Sequence, residues 1–255
     1  VITNTRISRQ LEWEAYGLTD VGKVRSINED AYMQNDEEAH WVVADGMGGH
    51  EAGDVASQSI VEGLGRLSQS AVLAHFVDEI DDCLRGVNEY LVKLAGDDHN
   101  KVIGSTVVGL ALHAKHAVYY WVGDSRAYLM RNGRLTQLST DHTHIEEMIQ
   151  QGIIDKSQAG SHPEKNVITR AVGADYEVFV DFDVEPVQDN DIFMICSDGV
   201  EKRLSDEEVE KIFNKHGDDV AEAAQEIVDV VLQRGSPDNV TVVAVRVHEL
   251  ETMTS

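Results

Sequence analysis

What this chain of 255 residues has little of narrows its class before any motif is read. It carries 21 lysines and arginines against 46 aspartates and glutamates, a formal net charge of -25. A surface so short of cations is a poor match for nucleic acid or an anionic membrane, since both select a positive patch. The two cysteines, Cys83 and Cys196, have no C-x-x-C spacing. That excludes a disulfide scaffold, and the pair reads as reduced, buried thiols of a cytoplasmic protein. Three prolines and no shift in composition leave no candidate linker, so a single domain is expected over 1–255, with its core from about residue 16 to 247. No apolar run approaches the roughly 20 residues of a membrane-spanning helix. The opening VITNTRISRQLEWEAYG has no signal-peptide core. The expectation is a cytoplasmic monomer that takes cations as ligands.

What is present is a repeated arrangement of acids at the ends of apolar runs. Trp41-Val-Val-Ala44 reads as a buried strand with Asp45 at its end, followed by a turn containing Gly46, Gly48 and Gly49. Asp124 follows YYWVG, Asp198 follows FMICS, and Asp238 directly precedes NVTVVAV. Glu29 and Asp30 precede another strand, so Arg25-Ser-Ile-Asn-Glu-Asp30 places a cation, an amide and two carboxylates just before Ala31 and Tyr32.

The periodicities order the chain. Tyr16–Gly22 is read as a first strand, Asn35–Glu38 as a turn into the Trp41 strand, and Gly53–Leu94 as two helices broken near Ser68–Ser70. After a polar loop at 96–101 come strands at Ser105–Leu112, Ala117–Gly123 and Arg126–Arg131. Asn132-Gly133 signals a hairpin into Leu135–Leu138. Residues 139–173 lack a long apolar strand and read as a flap, with a short helix capped by Thr143 and Glu146. A half-buried strand with Val178, Val180, Phe182 and Val184 follows, then a strand over Asp191–Cys196. A helix begins at the Ser205/Glu208 capping box, a second runs from about Asp219 to Gln233, and Val240–Val247 is the last strand. This order does not alternate β and α. It fits an α+β fold, a sandwich of two mostly antiparallel sheets with helices on both outer faces.

Side chains at one edge of adjacent strands converge, because neighbouring strands lie about 5 Å apart. Four to six carboxylates crowd together only when protonated or neutralised. Two divalent cations about 3.5–4 Å apart neutralise such a cluster, and the same arrangement hydrolyses phosphate esters. No His or Cys stands at metal-ligand spacing here, which favours oxygen-ligated Mg2+ or Mn2+ over zinc.

The segments RSINED (25–30), DGMGG (45–49), GST (104–106), GDSR (123–126), SDG (197–199) and DN (238–239) resemble, in order, the motif set of the metal-dependent type 2C serine/threonine protein phosphatases. The DGMGG variant is similar to that of the bacterial members. The resemblance spans about Tyr16 to Val247 and implies the same sandwich fold. It implies that Asp45 bridges two Mn2+ or Mg2+ ions, that the Gly46 carbonyl binds one of them, and that Asp198 and Asp238 hold the first. Glu29 would serve the second, with Asp30 ordering a water beside it. Asp124 would contribute to a third ion, with a flap residue such as Asn166 as a further ligand. Arg25 would grip the substrate phosphate. The implied reaction is direct attack on phosphoserine or phosphothreonine by a water shared between two cations, with no phosphoenzyme. A phosphorylated protein would be the substrate, a Ser/Thr kinase among the candidates. One departure is Met47, which occupies a position where some relatives carry a His proposed as general acid; His50 is a substitute to consider. His142, His144 and His162 in the flap read as surface residues. The alternative is a pseudophosphatase acting as a binding module, which would be expected to have lost metal carboxylates; none is missing here.

Overall fold

The computed structural model describes residues 11–48, 52–96, 102–159, 162–164 and 167–249. The expected loop at 96–101, apart from Gly96, lies outside these residues, as do His50 and Asn166. The elements in chain order are β1 (Leu11–Asp20), β2 (Asp30–Asn35), β3 (His40–Met47), α1 (Ala52–Leu64), α2 (Leu73–Ala95), β4 (Gly104–Ser105) and β5 (Val107–His113). There follow β6 (His116–Val122), β7 (Arg126–Arg131), β8 (Arg134–Gln137), α3 (His144–Gln150), α4 (Lys156–Ala159), β9 (Asp181–Pro186), β10 (Ile192–Cys196), α5 (Asp206–His216), α6 (Val220–Gln233) and β11 (Val240–Glu249).

One sheet runs β1-β11-β10-β7-β8, the other β2-β3-β5-β6-β9 with β4 beside β3. Every strand pairing is antiparallel. Because successive side chains leave a strand on opposite faces, the uninterrupted apolar runs serve two layers at once. Trp41 and Val43 join Leu110, Phe193, Ile195, Val243 and Val245 between the sheets. Val42 and Ala44 turn outward to Ile60, Leu64, Phe76 and Ile80 of α1 and α2. On the opposite outer face Met194, Cys196, Val242 and Ala244 meet Val209, Phe213, Ile227 and Val231 of α5 and α6. This is the expected helix–sheet–sheet–helix sandwich, and it explains why strands in an antiparallel fold show little polar alternation.

Local signals account for several boundaries. Asn132 and Gly133 both take positive φ (54° and 78°), the geometry of a two-residue hairpin whose twist matches its strands. Ser205 and Glu208 form a complete capping box at α5. Thr143 accepts from the Glu146 N–H at α3, one of the two hydrogen bonds of the box expected there.

Other boundaries move. β1 begins at Leu11, not Tyr16, because β11 pairs with it over its whole length, from Leu11↔Glu249 to Asp20↔Val240. β3 does not end before Asp45. It continues to Met47 because Asp30 pairs with Asp45 on one side and β4 pairs with Gly46 and Met47 on the other. The ladder of β9 starts at Asp181 opposite Trp121; Val178 and Val180 pack on the helical core before the strand forms.

The flap is fastened at its base by bridges Thr143↔Ile168 and Ser105↔Val172. His142 is buried here rather than on the surface. Its Nδ1 accepts from the Gly123 N–H at 3.0 Å, its Nε2 meets Asp181 at 3.0 Å, and its ring stacks on Trp121. Burial, and after it the nearby Arg170, lowers its pKa against the pull of Asp181. His144, by contrast, is half-exposed and paired with Glu164.

Candidate metal centre

The predicted carboxylates gather at one edge of the sandwich. Asp30 opens β2 directly opposite Asp45 in β3. Asp124 sits in the turn between β6 and β7, Asp198 follows β10, and Asp238 precedes β11. Turns and hydroxyls hold the frame. The Glu29 carbonyl accepts from the Gly46 N–H at 3.1 Å, and the Glu29 N–H donates to Asn239 Oδ1 at 2.9 Å. The Asn239 amide donates in turn to the carbonyls of Val21 and Ile27, tying the Arg25 loop to the start of β11. The Asp45 N–H donates to Thr106 Oγ1, which is hydrogen-bonded to Ser125 beside Asp124.

Two glycines are sterically required. A β-carbon on Gly53 would stand 2.9 Å from the Gly46 carbonyl carbon, and one on Gly46 would stand 2.1 Å from the Gly53 carbonyl oxygen. Close packing of backbone on backbone here lets Glu29 approach the Asp45 strand.

The electrostatics follow from crowding. Burial raises Asp45 well above the ordinary carboxylate value, and Asp30, Asp198, Asp124 and Asp238 add to it by repulsion. Burial lifts Asp124 to about 7, with Asp198, Asp141 and Glu201 pushing the same way. Asp30 rises to about 6: burial outweighs the hydrogen bonds from Thr241 and Ser197, at 2.7 and 2.8 Å, that favour its charged form. Asp198 is also raised, chiefly by burial and despite Lys202. Asp238 goes the other way. Burial opposes its charge, but Lys202 and Arg25 outweigh that and hold it below the ordinary value.

Side-chain cations occupy part of the cluster. Lys202 bridges Asp198 and Asp238, reaching Asp238 Oδ2 at 2.9 Å. Arg25 forks onto Asp238 at 2.9 and 3.1 Å. Behind Asp124, Arg126 grips Asp141 bidentately and also meets Glu201.

Whether the residues fit divalent cations can be judged from what remains unmatched. Among the described residues no group of three or more His, Cys, Asp or Glu side chains is so placed that it could hold a metal ion. Yet Asp30 Oδ1 and Asp198 Oδ1 are buried with no hydrogen-bond partner, and buried carboxylate oxygens are seldom left so. All-oxygen donors, mutual repulsion and two orphaned lone-pair sites fit Mg2+ or Mn2+.

All predicted residues within the described region are therefore brought to one place: Arg25, Glu29, Asp30, Asp45, Gly46, Asp124, Asp198 and Asp238. Met47 pairs with Gly104 beside the site and supplies no ionisable group. Sequence reading missed Lys202 and Thr241; Thr106, Ser197 and Asn239 lie inside the GST, SDG and DN segments but receive no role from them. A signal existed for Lys202, four residues after Asp198 and hence one helical turn away. Thr241 gave none, since Thr is common in strands.

Comparison with known proteins gives the family. The family model described as "Protein phosphatase 2C" matches residues 23–234. The serine/threonine phosphatase stp of Listeria welshimeri is 36% identical over 235 residues, covering 89% of this chain and 93% of that protein. Among solved structures, PppA, "a key regulatory component of T6SS in Pseudomonas aeruginosa", superposes with a TM-score of 0.85 at 36% identity, covering 92% of this chain and 97% of that one. The catalytic domain of serine/threonine protein phosphatase PstP, solved with two manganese ions, gives 0.82 at 30% identity, covering 94% of this chain and all of that one. The chain belongs to the protein phosphatase 2C family and is a protein phosphatase.

Proposed function

We propose that the chain is a Mn2+- or Mg2+-dependent phosphatase of phosphoserine and phosphothreonine in proteins, and that residues 1–255 act as one catalytic domain. The observation that carries this reading is the convergence of Asp30, Asp124, Asp198 and Asp238 on Asp45, whose charge all four repel, with Asp30 Oδ1 and Asp198 Oδ1 left unpartnered. Asp45 would be shared between two ions, Asp198 and Asp238 would complete the first position, Glu29 and the Gly46 carbonyl the second, and Asp124 a third. Bound cations supply charge to offset the carboxylates and the phosphate, and an acidified water as nucleophile near neutral pH.

The chain's own residues do the rest. Arg25 lies half-exposed at the mouth, and its planar fork suits two phosphate oxygens once it leaves Asp238. Asp30, held at Oδ2 by Ser197 and Thr241, keeps Oδ1 free to accept from a water and orient it. In-line attack breaks the bond from phosphorus to the Ser or Thr oxygen, and that oxygen takes up a proton that Met47 does not supply. Cys196 is fully buried with its thiol pushed up by burial, so it is not the nucleophile. Phosphorylated Ser/Thr kinases are among the candidate substrates.

The test is hydrolysis of p-nitrophenyl phosphate and of a phosphothreonine peptide with Mn2+, set against EDTA. Turnover of both with Mn2+ and its loss in EDTA are expected; metal-loaded protein inert on both would end the proposal.

A further inference from the structure

Among the described residues of this edge, Lys202 is one that the phosphatase reading leaves without a task. It lies one turn beyond Asp198, where its N–H donates to the Asp198 carbonyl at 3.1 Å. The Arg203 and Leu204 N–H groups continue that turn by donating to the Val200 carbonyl. The backbone is thus fixed, while the side chain is four rotatable carbons carrying a compact charge. Its ammonium spans two carboxylates that come from different strands, Asp198 after β10 and Asp238 before β11.

The same two carboxylates are those assigned to one divalent cation. Asp198 Oδ2 faces the ammonium and its Oδ1 is buried with no hydrogen-bond partner. Asp238 Oδ2 accepts from Lys202 and Arg25, and its Oδ1 faces Arg25. A divalent ion drawing on both residues therefore meets a positive charge already seated between them. Like charges a few ångströms apart repel strongly away from bulk water, so the ammonium must withdraw, and its side chain is partly exposed toward solvent (22%), which leaves it a way out.

We propose that Lys202 is a built-in counter-cation for the Asp198–Asp238 pair, which neutralises the pair in the metal-free protein and competes directly with the divalent ion at that position. It sets metal affinity from within the chain. The proposal rests on the metal-dependent reading above, and concerns a positioning residue rather than a catalytic one.

The experiment is calorimetric titration of the metal-free protein with Mn2+ alone, together with thermal unfolding in EDTA, for wild type, Lys202→Met and Lys202→Gln. The methionine keeps the length of the stem without its charge; the glutamine guards against a packing artefact. Both variants are expected to bind Mn2+ on the order of tenfold more tightly at one position, and to melt at a lower temperature than wild type in EDTA. The difference should close once Mn2+ is saturating. Equal or weaker Mn2+ affinity in both variants, with wild type binding normally, overturns this proposal and leaves the metal centre standing. Absence of Mn2+ binding in all three proteins overturns both. Binding by the variants but not by wild type supports the competition in its strongest form.

Discussion

At the scale of single residues, the five aspartates are not equivalent, and their differences can be measured without any assay of turnover. Among the described residues Asp45 makes no ion pair, and it is destabilised by burial and by four like charges. Asp238 is held below the ordinary carboxylate value by Lys202 and Arg25. Removing charge from the first relieves repulsion, while removing it from the second strands two cations. Asp45→Asn is therefore expected to raise the metal-free melting temperature, by roughly 2–8 °C for about 1–2 kcal/mol in a chain of this size. Asp238→Asn is expected to lower it. Both substitutions should abolish turnover with Mn2+. The check is thermal unfolding in EDTA at pH 8, beside a phosphatase assay. Equal shifts of the same sign would show that the cluster is not polarised in this way.

At the scale of elements, the site depends on how turns are tied to one another. Arg126 in β7 carries the main tie: it grips Asp141 at the base of the flap and meets Glu201 in the turn after Asp198. Its side chain and that of Asp141 are largely shielded from water. Loss of one partner from such a network leaves uncompensated charges, which costs about 3–5 kcal/mol. Arg126→Met is expected to lose about that much in urea-induced unfolding, with the midpoint moving and the slope unchanged. Protease cleavage should then appear first within 139–173. An unchanged midpoint would mean that His142 and the Thr143–Ile168 and Ser105–Val172 bridges anchor the flap without help from Arg126.

This tie also shows where sequence stops being informative. Elements with a local signal were legible: the Asn132-Gly133 hairpin, the Ser205 capping box, and the apolar strands over 107–113, 116–122 and 192–196. The carboxylates were legible because each ends or begins an apolar run. What escaped depends on partners distant in the chain. β3 extends through Asp45 only because β2 and β4 lie on either side of it. β1 reaches back to Leu11 because β11 offers ten residues of ladder. His142 is inside because Trp121 and Asp181 are there to receive it, and no local pattern marks it out from His144.

At the scale of the whole molecule, the metal-free protein is expected to be in tension with its own acidity, and pH exposes the sign. Asp30 and Asp124 have folded-state values of about 6 and about 7, above the ordinary carboxylate value of 3.8. The folded chain therefore holds these protons more tightly than the unfolded chain does. By linkage its stability falls as pH climbs from about 4 through 7, by an upper bound of several kcal/mol. His40 acts in the opposite sense. Burial against Tyr120 and Phe76 drops it to about 3, so stability is lost as pH falls from about 6.5 toward 3. The two trends overlap below pH 6.5, and a single melting curve against pH mixes them. Divalent ions separate them, because they act on the carboxylate edge and not on His40, which starts β3 at its other end. The rise in melting temperature on adding Mn2+ is therefore expected to be small at pH 5.5 and to grow steadily to pH 8, as protons cease to compete for the ligand oxygens. Paired unfolding scans with EDTA and with saturating Mn2+ across that range make the comparison. A gain independent of pH would mean that the raised carboxylates do not hold the ions.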